Sequence, residues 1–132
     1  MTRIEMAKKG IITEEIKSVA LEEGIAPERL AIDIAEGVTV ITRNNLHNIK
    51  PLGIGRRLKT KINANISTSK DRISYDEEIK KLEVLVKYGA DAVMDLSTGG
   101  DIKGLRNALI KKSPIAVGTV PIYEAVVRAV ET

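Results

Sequence analysis

The chain has 132 residues, 43% hydrophobic and 30% charged, with 21 basic against 18 acidic side chains and a formal charge of +3. That length supports a real core but falls short of the roughly 200 to 250 residues of a complete α/β barrel. The absence of cysteine excludes disulfides, a thiol nucleophile and any thiolate-held zinc or iron–sulfur centre within these residues.

Residues 1 to about 37 read as helical. Thr13 is placed to cap a helix that carries Glu14 and Glu15 in its first turn and Ile16, Val19 and Ala20 on one side, and Gly24 ends it. Pro27 opens a second helix with Leu30, Ala31 and Ile34 on its apolar side, and Gly37 closes it. Two helices around Gly24-Ile25-Ala26-Pro27 also fit a DNA-binding helix-turn-helix, but the second carries Glu28, Asp33 and Glu36 against one Arg29. A helix that faces phosphates is normally basic.

Val38 to Ile41 alternates and is β-branched, Arg43-Asn44-Asn45 reads as a turn, and Ile49 to Ile54 returns as a hairpin partner that Pro51 keeps at an edge. Gly53-Ile54-Gly55-Arg56-Arg57-Leu58 starts like a dinucleotide-binding glycine motif, yet it lacks the third glycine and follows no buried strand. His47, the single histidine, has no second His or Cys nearby and reads as a solvated or hydrogen-bonded loop residue rather than a ligand.

From Lys61 the pattern changes to alternating strand and helix. Strands are predicted near 62 to 66, 92 to 96 and 115 to 120, with a helix over Asp76 to Tyr88 stopped by Gly89. A further helix holds Ile102, Leu105, Ala108 and Leu109, and a last one begins at Tyr123-Glu124 after Pro121. This is βαβ spacing, so the expected class is α/β, with an N-terminal helical and hairpin segment at 1–60 and three parallel βα units at 61–132. The core is expected to be aliphatic, since three Tyr are the only aromatic residues.

In a parallel sheet every strand's C-terminal end points to one rim, where ligands bind. Asn65 with Ser67, Met94 with Asp95 and Ser97, and Thr119 with Tyr123 fall at those ends. Ser97-Thr98-Gly99-Gly100 stands between a strand and a helix N-terminus. It reads either as a tight turn with capping residues or as an anion site whose glycines, Gly99 and Gly100, let a ligand approach the backbone. Asp95 reads first as a cap of the following turn, with general base or metal ligand as the alternative. The amide of Asn65 and the phenol of Tyr123 suit a polar, phosphate-bearing small molecule.

N-A-N-I-S-T-S at 63 to 69, V-M-D-L-S-T-G-G-D-I at 93 to 102 and V-G-T-V-P-I-Y-E-A at 117 to 125 resemble the signatures of the phosphomethylpyrimidine synthase (ThiC) family of thiamine biosynthesis. The resemblance runs back through M-A-K-K-G-I-I-T-E-E-I at 6 to 16, A-E-G at 35 to 37 and G-I-G at 53 to 55, so it covers essentially the whole chain. It implies a cytoplasmic radical S-adenosylmethionine lyase that rearranges aminoimidazole ribotide into hydroxymethylpyrimidine phosphate. The implied fold is the start of a (βα)8 TIM barrel, incomplete here. The resemblance places Asn65, Met94 and Tyr123 in the ribotide pocket, with Ser67, Ser97, Gly99 and Gly100 as further phosphate or rim contacts. Two positions depart from the pattern: Ser67 stands where glycine is usual, and Glu124 where glutamine is usual.

In the full-length family, S-adenosylmethionine, a 4Fe-4S cluster and a divalent metal such as zinc are held by residues downstream of the matched region, so no cofactor is expected on this chain. The expectation is a truncated homologue, inactive alone. The alternatives are a stand-alone binder of a phosphorylated small molecule and the helix-turn-helix regulator. Mixed charge speaks against a nucleic-acid partner. No run approaches the roughly 18 apolar residues of a membrane span, and Met1 to Glu5 leads into no signal-peptide core. Three strands of a barrel are expected to leave Ile62, Ile66, Val93 and Val117 exposed, which favours self-association as a dimer.

Overall fold

A computed structural model describes residues 1–44 and 46–131; Asn45, the last residue of the expected Arg43-Asn44-Asn45 turn, lies outside the described residues. The chain forms two units, residues 1–44 with 50–60, and residues 46–49 with 61–131.

The first unit holds three helices, α1 (Arg3–Lys8), α2 (Glu14–Glu23) and α3 (Pro27–Ala35), and an antiparallel pair, β1 (Thr39–Thr42) with β2 (Leu52–Gly55). The short α1 exists because Thr2 and Glu5 close a capping box. The Thr2 hydroxyl accepts from the Glu5 N–H, and the Glu5 carboxylate accepts from the Thr2 N–H at 2.7 Å. Thr13 caps α2 through the Ile16 N–H, and Gly24, left-handed at φ 69°, ends it. Ile16, Val19, Leu30, Ile34 and Ile41 form an aliphatic core, each fully buried side chain contributing about 1.5–3 kcal/mol.

Asp33 on α3 is wholly buried and accepts from Arg29 at 3.1 Å and from Arg57 at 2.9 and 3.2 Å. The helix that a helix-turn-helix would use for recognition therefore spends its central acid on fastening the end of the hairpin. That fastening holds Arg57 at φ 68°, the one non-glycine residue with positive φ among those described.

The second unit alternates β3 (Asn63–Ile66), α4 (Tyr75–Lys87), β4 (Ala92–Asp95), α5 (Ile102–Lys112), β5 (Ala116–Thr119) and α6 (Pro121–Glu131). The sheet has the order β3-β4-β5 with both pairings parallel. Ser74 caps α4, whose first turn is acidic and whose last turn carries Lys87, the distribution that the helix dipole favours. Pro121 is the first residue of α6 rather than only the stop of the preceding strand; its fixed φ suits that position.

The sheet faces follow strand parity. Ile66, Val93 and Val117 pack against Ile79, Leu82, Leu105 and Leu109 of α4 and α5. The expectation that Ile66, Val93 and Val117 stand exposed is thus corrected: Ile66 and Val93 are 3% and 0% exposed, and Val117 is half-buried. Only Ile62, just before β3, is open, at 59%. The apolar parity of the strands is the side that the crossover helices cover, and the far face carries Asn63, Asn65, Ala92, Met94, Ala116 and Gly118. Among the described residues, no helix is long and apolar enough to cross a membrane.

Candidate functional site at the strand ends

Asn65 of β3, Met94 of β4 and Gly118 of β5 stand in one row across the sheet, each the register partner of the next. They lie on the face turned away from α4 and α5. Asn65 is exposed and Met94 half-buried. The Met94 side chain lies across Gly118, where an added Cβ would sit 2.9 Å from Met94 Cε. Tyr123 enters in the first turn of α6, directly after β5. Its N–H bonds to the Val120 carbonyl at 3.0 Å, and it is 41% exposed. The row thus presents an amide and a thioether side by side.

Behind this row the loops that follow β3 and β4 are tied together by a buried polar chain. The Asp95 carboxylate accepts from the Ser97 N–H at 3.0 Å and from the Ser97 hydroxyl at 2.5 Å, so it caps the following turn. The Ser97 oxygen accepts from the Thr68 N–H at 3.0 Å, and the Thr68 hydroxyl donates to the Gly99 carbonyl at 2.7 Å. Thr68, Asp95 and Ser97 are 1%, 3% and 3% exposed. Buried polar groups satisfied in this way rigidify the backbone that carries them.

Gly99 is also buried, and its close approach is to the chain itself: a Cβ there would fall 2.5 Å from the Ser69 carbonyl carbon and 2.7 Å from the Lys70 nitrogen. Gly100 takes φ 75° beside Ile73. The start of α5 is filled by Asp101, whose carboxylate accepts from the Gly104 N–H at 2.9 Å. Ser67, by contrast, is exposed. The rim positions read from the sequence therefore separate: Asn65, Met94, Tyr123 and Ser67 reach solvent in whole or part, while Ser97 and Gly99 face inward and join loop to loop.

Two contributors escaped the sequence reading. Thr68 is one of three hydroxyl residues in Ser67-Thr68-Ser69, and only its pairing to the neighbouring loop singles it out. Asp101 follows two glycines and stands three residues before Gly104 at a helix start, the placement of an N-cap.

Electrostatics at the rim come from arginine–carboxylate pairs. Glu124 pairs with Arg106, and with Arg128 at 2.6 Å. The Arg106 hydrogen bond holds its carboxyl below the ordinary glutamate value; partial burial opposes this, while the charges of Arg106, Arg128 and Lys103 add to it. Between the start of α5 and α6 lies a cleft of about 350 Å³ lined by Gly100, Asp101, Lys103, Glu124 and Arg128 among others. The Tyr75 phenol donates to the Asp101 carbonyl at 2.6 Å and is raised above its usual value by burial first and by the Asp101 charge second.

A redox cluster or catalytic metal does not fit these residues. The chain has no cysteine, and no three His, Cys, Asp or Glu side chains among the described residues converge as a metal site.

Comparison with known proteins extends the local pattern to the whole chain. The profile of the radical SAM ThiC family matches residues 2–132. A phosphomethylpyrimidine synthase of Thermodesulfovibrio yellowstonii is 66% identical over 131 residues, which are 99% of this chain and 31% of that protein. Those of Pyrococcus abyssi and Syntrophus aciditrophicus are 51% and 48% identical, covering 95% and 100% of this chain but 29% and 31% of theirs. The chain spans about a third of the length of these relatives. A parallel βα sheet and a family match from its second residue to its last agree, and the chain belongs to the radical SAM ThiC family.

Proposed function

We propose that these residues form the N-terminal part of the ribotide-binding face of a phosphomethylpyrimidine synthase. On this reading β3, β4 and β5 with their helices are the first three units of a (βα)8 barrel, and their far face is its interior. The observation that carries it is the row Asn65–Met94–Gly118 at the C-terminal ends of parallel strands, where ligands of such sheets bind. Asn65 offers two donors and an acceptor to the edge of a polar heterocycle. Met94 supplies a soft, polarizable surface for its flat face, and the Tyr123 phenol supplies a further donor or acceptor. Three residue types suited to an imidazole ribotide thus come from three successive units.

The family chemistry uses an iron–sulfur cluster to cleave S-adenosylmethionine, and this requires thiolates that these 132 residues lack. The cluster, S-adenosylmethionine and the divalent metal belong, on this reading, to the remainder of the full-length protein. The 132-residue chain by itself binds and orients but does not turn over. The setting proposed is cytoplasmic biosynthesis of the thiamine pyrimidine.

Calorimetry with aminoimidazole ribotide tests this. Asn65→Ala and Tyr123→Phe are each expected to weaken binding by about tenfold, the net worth of one hydrogen bond. A parent chain that shows no heat of binding at millimolar ligand overturns the reading. Anaerobic incubation with S-adenosylmethionine after iron and sulfide reconstitution should yield no pyrimidine phosphate, and product above background would refute the inactivity.

A further inference from the structure

The parallel pairing of β3 with β4 does not stop where the strands end. The Leu96 N–H donates to the Ile66 carbonyl at 2.9 Å, and two residues on the Thr98 N–H donates to the Thr68 carbonyl, also at 2.9 Å. That is the rhythm of a parallel ladder carried one step into the loops. Burial keeps the same alternation. Ile66 and Thr68 are buried with Ser67 exposed between them, and Asp95, Ser97 and Gly99 are buried while Thr98 is exposed. By strand parity Ser67 continues the Asn65 side of the sheet, and Thr98 continues the Met94 side, with the half-buried Leu96 between Met94 and Thr98. The one interruption is the Thr68 N–H, which turns to the Ser97 hydroxyl.

We propose that the Asp95–Ser97–Thr68 chain is a positioning device that fixes both loops as an extension of the sheet, so that the hydroxyls of Ser67 and Thr98 join Asn65 and Met94 in one ligand face. This rests on the ribotide reading and adds Thr98 as a contact. The device acts from behind. All three of its side chains are buried on the opposite side of the sheet, Asp95 holds Ser97 within its own loop while Thr68 bonds across to Ser97 and Gly99, and the missing side chain of Gly99 lets the second loop pack directly on the Ser69–Lys70 backbone. Two hydroxyls placed beyond an amide and a thioether lengthen the polar end of the face. They suit the hydroxyl- and phosphate-bearing part of a ribotide rather than its heterocycle, because a hydroxyl both donates and accepts.

The test joins two measurements on the chain, aminoimidazole ribotide affinity by calorimetry and amide hydrogen exchange at Thr98. Thr98→Val alters an exposed side chain and should weaken binding about tenfold at unchanged thermal stability. Thr68→Val keeps the volume but breaks the bond to Gly99. It should weaken binding to a similar extent and speed exchange at the Thr98 amide, whereas Thr68→Ser, which keeps the hydroxyl, should restore affinity to within about threefold of the parent. A parent chain that binds while Thr98→Val and Thr68→Val bind equally well overturns the proposal. If the parent does not bind, the ribotide reading falls with the Thr98 contact. Exchange then decides the device alone, and equal rates at Thr98 in the parent and in Thr68→Val overturn it.

Discussion

Met94 reaches over the neighbouring strand onto Gly118, its register partner, so closely that a Cβ on Gly118 would lie 2.9 Å from Met94 Cε and 3.0 Å from its sulfur. The thioether is therefore seated by the absence of a side chain one strand away. Gly118→Ala must displace it. The expected loss is about 1 kcal/mol, at the low end for overpacking because the tip of an unbranched side chain can move. Urea denaturation reads the loss, and the Met94 methyl resonance reads the displacement; an unshifted methyl would refute the packing.

Asp33 holds two guanidinium groups from a position with no solvent exposure, and the side chains of Arg29 and Arg57 are 42% and 44% exposed. Removing the carboxylate strands neither arginine wholly in the interior, so the cost should fall near the lower end for breaking a buried pair, about 3 kcal/mol. Asp33→Ala is expected to lower the urea midpoint of the first unit accordingly. A loss below about 1 kcal/mol, the range of exposed pairs, would show that the clamp does not fasten the hairpin.

Glu124 gives the rim a definite response to acid. Its folded pKa is depressed by the Arg106 hydrogen bond, so the stabilisation is fully present above the unfolded-state value and is lost only as pH falls through the lower folded value. The contribution should be flat from neutrality down to about pH 5 and fall below it. Glu124→Gln, which restores the residue usual in the family pattern, should remove that acid dependence. Carboxyl titration by NMR checks it, and a Glu124 midpoint at or above that of a free glutamate would count against the Arg106 pair.

Self-association is expected, with a dimer favoured. Along α6, Ile122, Val126 and Val130 are 62%, 54% and 69% exposed at successive helical turns. Along the unpaired edge of β3, an open cleft of about 380 Å³ also lies between the strand and Lys80, Val84 and Leu85 of α4. At about 25 cal/mol per Å², a few hundred Å² of such surface is worth several kcal/mol when covered. Sedimentation across micromolar concentrations measures it, and a monomer throughout would refute it.

The alternation of strand and helix from residue 61 was legible because buried strands and amphipathic helices leave different periods in the sequence. Which side of each strand the helices cover was not. Val93 and Met94 are both apolar neighbours in a four-residue strand, and parity alone does not say which one meets Leu105. α1 was merged into a general helical stretch because six residues carry too little periodicity; its sign was the Thr2–Glu5 box. At the rim, Asn65, Met94 and Tyr123 came from matched motifs. The roles of Thr68, Ser97 and Gly99 stayed hidden because they depend on a partner loop about thirty residues away in the chain, a relation that exists only once β3 and β4 are in register.

Within the β3-β4-β5 sheet, β4 pairs with β3 and β5 with β4, so each later strand adds to the one synthesised just before it. No strand is inserted between two others already paired, and each pairing closes over a single helical crossover. The order of the sheet is thus also an order of events. As the chain leaves the ribosome, β4 can dock on β3 with α4 already over them, and β5 can follow without reopening what has formed. The lock between the first two loops would close before α6 exists.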